Sequence, residues 1–135
     1  MYTTETKIRV RYAETDKMGF VYYGNYAIYY EVARVESLRQ LGFAYSKLED
    51  MGIMMPVIES KFRYLKPAVY DELLTIKVTI PTLPSARIQF IYEIRNKENE
   101  LINTGETTLV FIELASGKPK RMPEVLGELF SPFFE

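Results

Sequence analysis

The first strand is predicted by alternating polar and apolar side chains near the amino terminus. Ile8, Val10 and Tyr12 share one face, and basic residues occupy the positions between them. A period of two is typical of a strand that buries one face. Residues 3–12 are therefore predicted to form a strand. Residues 13–24 contain two glycines and are predicted to form a loop that can include one helical turn.

A long helix is predicted next. Residues 25–41 contain no Gly or Pro, and apolar side chains cover most of the helix circumference. The polar stripe holds Glu31, Arg34 and Arg39, so we expect the helix to be buried nearly all round. Gly42 stands where a left-handed C-terminal cap is expected. A helix of roughly 26 Å, at ~1.5 Å per residue, must be wrapped by the rest of the chain.

The remainder of the chain is predicted to be mostly strands. A short helix is predicted first, over residues 44–51, and Pro123 is expected to begin another that reaches about Phe130. Between them, alternating apolar side chains predict four strands, within residues 55–66, 74–80, 88–94 and 101–114. One strand, one long helix and a run of strands indicate an α+β fold. In it, an antiparallel sheet of about five strands wraps one long central helix.

Two details of the strand pattern are specific enough to test. Ile58, Phe62 and Tyr64 are expected on one face of the strand within residues 55–66. Gly105 indicates a bulge or bend in the last strand, because an interior glycine weakens regular pairing.

Composition favours one globular domain, over residues 1–135, with 47% hydrophobic and 26% charged residues. No segment approaches the roughly 20 apolar residues of a transmembrane helix, and the amino terminus lacks the apolar core of a signal peptide. We therefore expect a cytoplasmic protein without membrane insertion. The net charge of -1 gives no general attraction for nucleic acid, which is not expected as a partner.

The chain contains neither His nor Cys. This excludes thiolate nucleophiles, zinc sites built from Cys and His, and a Ser-His-Asp triad. No metal site is predicted. If the protein is a hydrolase, a carboxylate or a bound water must do the chemistry.

The segment 11–34, RYAETDKMGFVYYGNYAIYYEVAR, closely resembles the signature of the hot-dog-fold acyl-CoA thioesterases of the 4-hydroxybenzoyl-CoA thioesterase type. The matching positions are Tyr12, Asp16, Gly19, Val21, Tyr22, Tyr23, Asn25 and Tyr26. Similar segments continue at residues 56–58, 64–74, 104–105 and 117–123, so the resemblance covers essentially the whole chain. One departure is Tyr23, where many bacterial members have His.

The resemblance implies an acyl-CoA thioesterase that acts on a small acyl-CoA or aryl-CoA, with CoA as part of the substrate and no other cofactor. It also implies a homodimer in which two sheets join into one, with two active sites at the interface. A homotetramer of such dimers is common in the family.

The resemblance also implies roles for particular residues. Asp16 would act as nucleophile or as general base, and the backbone amides of Tyr23 and Gly24 would hold the oxyanion. The bland alternative for Asp16 is a helix cap or an Asx-turn. Glu14, its near neighbour, is expected to be solvated. The residues expected to contact the substrate are Gly19, Val21 and Tyr22, with Glu59 and Ser60 from the partner subunit.

Binding of the CoA phosphates needs basic side chains. The dense basic cluster is Lys118, Lys120 and Arg121, with Arg63 and Arg87 as weaker candidates. A solvated turn is the alternative interpretation of this cluster.

Three rival functions exist for a domain of this kind. A hot-dog hydratase or dehydratase is disfavoured because such enzymes use a His with a carboxylate. A non-catalytic module that binds acyl-CoA or lipid stays open, although Asp16, Gly19 and Gly24 argue against a degenerate site. A thioesterase acting on acyl-carrier protein would need a wider basic rim to meet its acidic partner.

Overall fold

Alternating apolar residues build one antiparallel sheet in the computed structural model, which describes residues 1–134. Leu74, Ile76 and Val78 in one strand, and Phe90 and Tyr92 in the next, are buried in the core. The strands are β1 (Tyr2–Arg9), β2 (Ile53–Met54), β3 (Val57–Tyr64), β4 (Leu73–Ile80), β5 (Arg87–Arg95), β6 (Leu101–Val110) and β7 (Ile112–Glu113). The order in the main sheet is β1-β4-β5-β6-β3, and β2 pairs with β7 separately.

The helices are α1 (Asn25–Leu41), α2 (Ser46–Asp50) and α3 (Glu124–Phe130). Short 3-10 turns lie at Tyr12–Glu14 and Ser131–Phe133. The predicted α+β hot-dog architecture, with a five-stranded antiparallel sheet against one long helix, is confirmed. No helix within residues 1–134 is long and apolar enough to cross a membrane.

The long helix α1 has the predicted bounds. It ends at Gly42, whose φ of 101° is left-handed and whose N–H donates to the carbonyls of Leu38 and Arg39. The expectation that α1 is buried nearly all round is wrong for one chain, because Ile28 is 53% and Val32 41% exposed. The sheet covers one side of α1, and no other element within residues 1–134 covers these two side chains.

The last predicted strand is interrupted. Residues 101–114 form β6 and then β7, which leaves the main sheet to pair with β2. The register break of β6 lies near Ile102, opposite Ile94 and Arg95, and the prediction of a bulge at Gly105 is wrong. A Cβ at Gly105 would lie 2.7 Å from the Phe62 ring and 2.9 Å from the Tyr30 ring. Gly105 is therefore needed for close packing between α1 and β3.

Two face assignments also change. Tyr12 is not part of β1; it begins the 3-10 turn and is 77% exposed. In β3, the pairing with β6 skips Ile58, which is the extra residue of a bulge between Val57 and Glu59. The regular alternation predicted from Ile58 to Phe62 and Tyr64 is therefore interrupted at this bulge.

Candidate active site

A tight turn positions Asp16 between the end of β1 and the start of α1. Thr15 and Val21 form an antiparallel bridge, and the Asp16 N–H donates to the carbonyl of Phe20 at 2.8 Å. The Gly19 N–H donates to the Asp16 carbonyl at 3.0 Å, and the φ of Gly19 is 81°. A left-handed φ of this kind favours glycine, so Gly19 allows the chain to close this turn.

The Asp16 carboxylate is held on one side. Its Oδ1 accepts the backbone N–H of Met18 at 2.9 Å and that of Phe20 at 3.2 Å. This is the Asx-turn that was predicted as the bland alternative, and it caps no helix. The second carboxylate oxygen, Oδ2, has no hydrogen-bond partner within residues 1–134. One oxygen is therefore structural, and the other is available at a depression that Asp16 lines.

Free backbone donors lie at the start of α1, close to this turn. The N–H groups of Asn25 and Tyr26 donate to the carbonyls of Tyr22 and Tyr23. The N–H groups of Tyr23 and Gly24 have no acceptor in the part of the chain that the structure describes. Amides in the first turn of a helix carry the positive end of its dipole. A Cβ at Gly24 would lie 3.0 Å from the Tyr22 ring, so a larger residue would displace that ring.

The depression beside Asp16 is an open hollow of about 360 Å³, and half of its lining residues are aromatic. The Tyr64 ring lies edge-on to Tyr26 at 5.6 Å between centroids and to Tyr23 at 6.2 Å. The full lining is Asp16, Phe20, Val21, Tyr22, Tyr23, Tyr26, Tyr64, Leu65, Lys66 and Pro67. The predicted residues Val21, Tyr22 and Tyr23 are thus brought together with Asp16.

Glu14 differs from its prediction. Its side chain is only 12% exposed, and it accepts hydrogen bonds from the Tyr29 hydroxyl at 2.8 Å and from the Arg11 guanidinium. Partial burial by itself would raise the pKa of Glu14, but the hydrogen bonds from Arg11 and Tyr29 and the Arg11 charge hold it below its ordinary 4.5. Burial, with Glu14 beside it, raises the pKa of Tyr29. At neutral pH Glu14 is therefore an ionised acceptor and Tyr29 a neutral donor.

The predicted residues of β3 do not reach Asp16 within one chain. Phe62 packs on Tyr30 of α1, with ring centroids 5.2 Å apart. Alternation along β3 places Ser60 on the same face of the sheet as Phe62, and Glu59 on the opposite face. Both lie near the Val57 end of β3, whereas the depression uses Tyr64 at the other end.

The predicted CoA-binding residues do not line the depression within one chain. Arg63 faces away from α1, in a shallow hollow that it shares with Lys61 and Glu93. Arg87 begins β5 opposite the end of β6, and the loop with Lys118, Lys120 and Arg121 folds back on Phe111 and Ile112. Arg87 and this loop lie at the end of the sheet where β3 begins, at Val57. Tyr64, which lines the depression, is at the other end of the eight-residue β3. At ~3.3 Å per residue, the two ends are roughly 25 Å apart.

Sequence reasoning missed several residues at the depression. Leu65, Lys66 and Pro67 follow the end of β3, where a change from alternating residues to Pro marks the exit turn, but nothing local places them beside Asp16. Tyr26 belongs to the core, with 3% exposure, and also lines the hollow; its hydroxyl accepts the Ala68 N–H at 3.3 Å. No group of three or more His, Cys, Asp or Glu side chains within residues 1–134 is arranged to hold a metal ion.

Comparison with known proteins gives the family. The family model described as the Thioesterase-like superfamily matches residues 10–130, and the chain belongs to this superfamily. The predicted family and the predicted enzyme class, an acyl-CoA thioester hydrolase, are thereby confirmed.

Individual relatives agree along most of the chain. YneP of Bacillus subtilis is 34% identical over 119 residues, 88% of this chain and 86% of the relative. Acyl-CoA thioester hydrolase YbgC of Escherichia coli O157:H7 is 32% identical over 117 residues, 87% of each chain. The structure of the DHNA-CoA thioesterase from Staphylococcus aureus is similar with a TM-score of 0.93 at 38% identity, covering 98% of this chain and 91% of that one.

Proposed function

We propose that the protein hydrolyses the thioester of a small acyl-CoA or aryl-CoA in the depression lined by Asp16. One observation carries this proposal: an Asp16 oxygen with no hydrogen-bond partner within residues 1–134 lies in the same hollow as Tyr23. The Tyr23 and Gly24 amides, at the start of α1, likewise have no acceptor in the described chain. A thioester needs an attacking oxygen on one side of its carbonyl and hydrogen-bond donors for the oxyanion.

Two routes use this arrangement. In the first, Oδ2 of Asp16 attacks the thioester carbon, the CoA thiolate leaves, and water hydrolyses the resulting mixed anhydride. In the second, Asp16 takes a proton from water, the hydroxide attacks the carbonyl, and the departing thiolate takes up a proton. In both routes the Tyr23 and Gly24 N–H groups stabilise the tetrahedral oxyanion. A rapid-quench mass spectrum separates them, because only the first route adds the acyl group to the protein.

Aromatic acyl groups suit the walls of the depression best. Phe20, Tyr22, Tyr23, Tyr26 and Tyr64 surround it, and aromatic rings favour offset or edge-on contacts with another ring. The Staphylococcus aureus relative is a DHNA-CoA thioesterase, and it is 38% identical to this chain. We therefore place aryl-CoA first among the candidate substrates and short-chain acyl-CoA second.

The active form in this proposal is a homodimer, in which two β3 strands pair across a two-fold axis. Strand β3 is an edge strand, and an unpaired edge offers free N–H and C=O groups to a second chain. Ile28 and Val32, the exposed apolar residues of α1, lie on the helix that packs beside β3 through Tyr30 and Phe62. Assembly of two dimers into a tetramer remains a prediction.

Antiparallel pairing of β3 with its copy has a direct consequence for the site. It would bring the Val57 end of one strand beside the Tyr64 end of the other. Glu59, Ser60 and the basic loop of residues 118–121 of one chain would then approach the Asp16 depression of its partner. The basic loop is therefore proposed to bind the CoA phosphates in the other subunit's site.

The test is thiol release from a panel of thioesters: acetyl-CoA, a long-chain acyl-CoA, 4-hydroxybenzoyl-CoA, 1,4-dihydroxy-2-naphthoyl-CoA and an acyl-carrier protein. We expect the aryl-CoA substrates to give the highest kcat/KM. Asp16→Asn keeps an oxygen that can accept the Met18 and Phe20 amides, so the turn survives while the carboxylate is lost. It should lower kcat by roughly 100- to 10,000-fold.

Asp50→Asn, at the end of α2, is the matched control and should leave kcat unchanged. Full activity of Asp16→Asn would contradict the assignment of the site. Tight acyl-CoA binding without thiol release by the wild-type protein would instead support the non-catalytic module. Preference for the acyl-carrier protein over every CoA ester would overturn the proposed substrate class.

A further inference from the structure

Glu14 is the most heavily hydrogen-bonded carboxylate near the candidate site. Its Oε1 accepts the backbone N–H of Arg11 and the hydroxyl of Tyr29, both at 2.8 Å. Its Oε2 accepts Nε and Nη2 of the Arg11 guanidinium, at 3.1 and 2.9 Å. The carboxylate thus joins the 3-10 turn after β1 to the buried Tyr29 of α1, with its charge neutralised by Arg11.

The backbone of Glu14 makes a second connection to the same helix. Its carbonyl accepts the Tyr22 N–H at 2.9 Å and the side-chain amide of Asn25 at 2.8 Å. Tyr22 immediately precedes the two free amides, and Asn25 is the first residue of α1. Glu14 is therefore bonded on one side to Tyr22 and Asn25, the two residues that flank the proposed oxyanion donors. On the other side it lies two residues before Asp16.

We infer that Glu14, held by Tyr29, is a positioning residue that sets the distance between the Asp16 carboxylate and the amides of Tyr23 and Gly24. This inference rests on the proposed function of that site. Glu14 itself does not line the depression, so it would act through the backbone and not on the substrate. A misplacement of about 1 Å between reacting groups can reduce the rate by about a hundredfold.

The Arg11 pair alone would not distinguish Glu14 from an ordinary surface residue. Glu36 forms a similar ion pair with Arg39 three residues away, at 3.1 Å, on the solvent side of α1. What distinguishes Glu14 is its low exposure and its bond to a buried hydroxyl on another element. Glu36→Gln is therefore a matched control that removes a similar ion pair without touching the loop.

The test compares Glu14→Ala, Glu14→Gln, Tyr29→Phe and the double variant Glu14→Gln with Tyr29→Phe. With the best substrate of the panel, we expect Glu14→Ala and Tyr29→Phe to lower kcat by about tenfold to a hundredfold while KM changes less than threefold. Glu14→Gln keeps one acceptor oxygen for Tyr29 and should recover part of the loss. The decrease in kcat of the double variant should be no larger than the product of the two single decreases. It should be smaller than that product if Glu14 and Tyr29 act through the one hydrogen bond between them.

Three outcomes decide the inference. Normal kcat in Glu14→Ala and Tyr29→Phe, with only a lower melting temperature, would overturn it and leave Glu14 a stabilising residue. An increase in KM with unchanged kcat would also overturn it, because it would indicate contact with the substrate. If Asp16→Asn is fully active, the proposed site fails first. If Asp16→Asn is inactive while the Glu14 and Tyr29 variants behave like Glu36→Gln, only the positioning role fails.

Discussion

The two ends of β3 differ in backbone structure and in charge. The Asp16 end, comprising residues 12–26 and 64–68, is mostly irregular backbone closed by hydrogen bonds. It has exposed aromatic rings and one carboxylate oxygen that has no partner among residues 1–134. The basic end, comprising Arg87 and residues 109–121, carries positive charge and the small β2-β7 sheet. Lys120 there lies 3.6 Å from Glu113, an exposed and therefore weak ion pair.

The two ends of β3 would meet two different requirements of CoA thioester hydrolysis. The reacting carbonyl needs the carboxylate and free amides of the Asp16 end, whereas the phosphates of CoA need cations. Within one chain these groups are roughly 25 Å apart along β3. A two-fold pairing of β3 strands would bring the basic end of one chain beside the Asp16 end of its partner. The dimer is therefore part of the proposed site, and variants at either end test it.

Among the changes that test how the two ends of β3 cooperate, the largest effect is expected from blocking the dimer. Ile28→Lys combined with Val32→Lys places two charges on the exposed apolar face of α1, and burying unpaired charges costs several kcal/mol. We expect a monomer by light scattering, a folded circular dichroism spectrum and less than about a tenth of the wild-type kcat/KM. Leu83→Lys combined with Val125→Lys is the control, because both residues are about as exposed but lie away from β3. An active monomer would show that one chain suffices.

An intermediate effect is expected at the basic end. Changing Lys118, Lys120 and Arg121 together to Ala should raise KM about tenfold with little change in kcat, because each exposed charge pair contributes roughly 0.2–1 kcal/mol. The loss should shrink when salt is raised. The same kinetics with a substrate truncated to the pantetheine thioester serve as control, since that substrate carries no 3′-phosphate or pyrophosphate. An equal loss with both substrates would exclude phosphate binding.

The smallest effect is a pH dependence of stability at the Asp16 end. The pKa of Glu14 is below 4.5 in the folded chain, so its contribution is present above about pH 4.5 and disappears as the pH falls through the folded pKa. Burial raises the pKa of Tyr29, so its hydroxyl stays neutral over this range. Glu14→Gln should therefore reduce the free energy of unfolding by about 1 kcal/mol at pH 7 and by less at pH 3.

Urea unfolding at both pH values measures this difference. Glu36→Gln, which also removes an Arg-paired carboxylate, controls for a general effect of charge. A difference between Glu14→Gln and the wild type that grows at low pH would contradict the assignment of Glu14 as an ionised, hydrogen-bonded acceptor.

Much of the fold followed from local patterns. The absence of Gly and Pro over 17 residues and the cap at Gly42 predicted both ends of α1 correctly. Alternation identified β4 and β5 with their buried faces. It did not reveal the bulges at Ile58 and near Ile102, because an extra residue that leaves the pairing has no distinctive residue type.

The sequence by itself determined the family, the long helix and the candidate carboxylate, because these depend on residue types at short, fixed spacings. Only the tertiary structure decided that Glu14 is bonded to Tyr29, that Gly105 makes room for two rings, and that the basic loop lies far from Asp16. Those facts depend on strand register and on which faces meet. Both are set by packing between residues distant in the chain, and no local spacing encodes them.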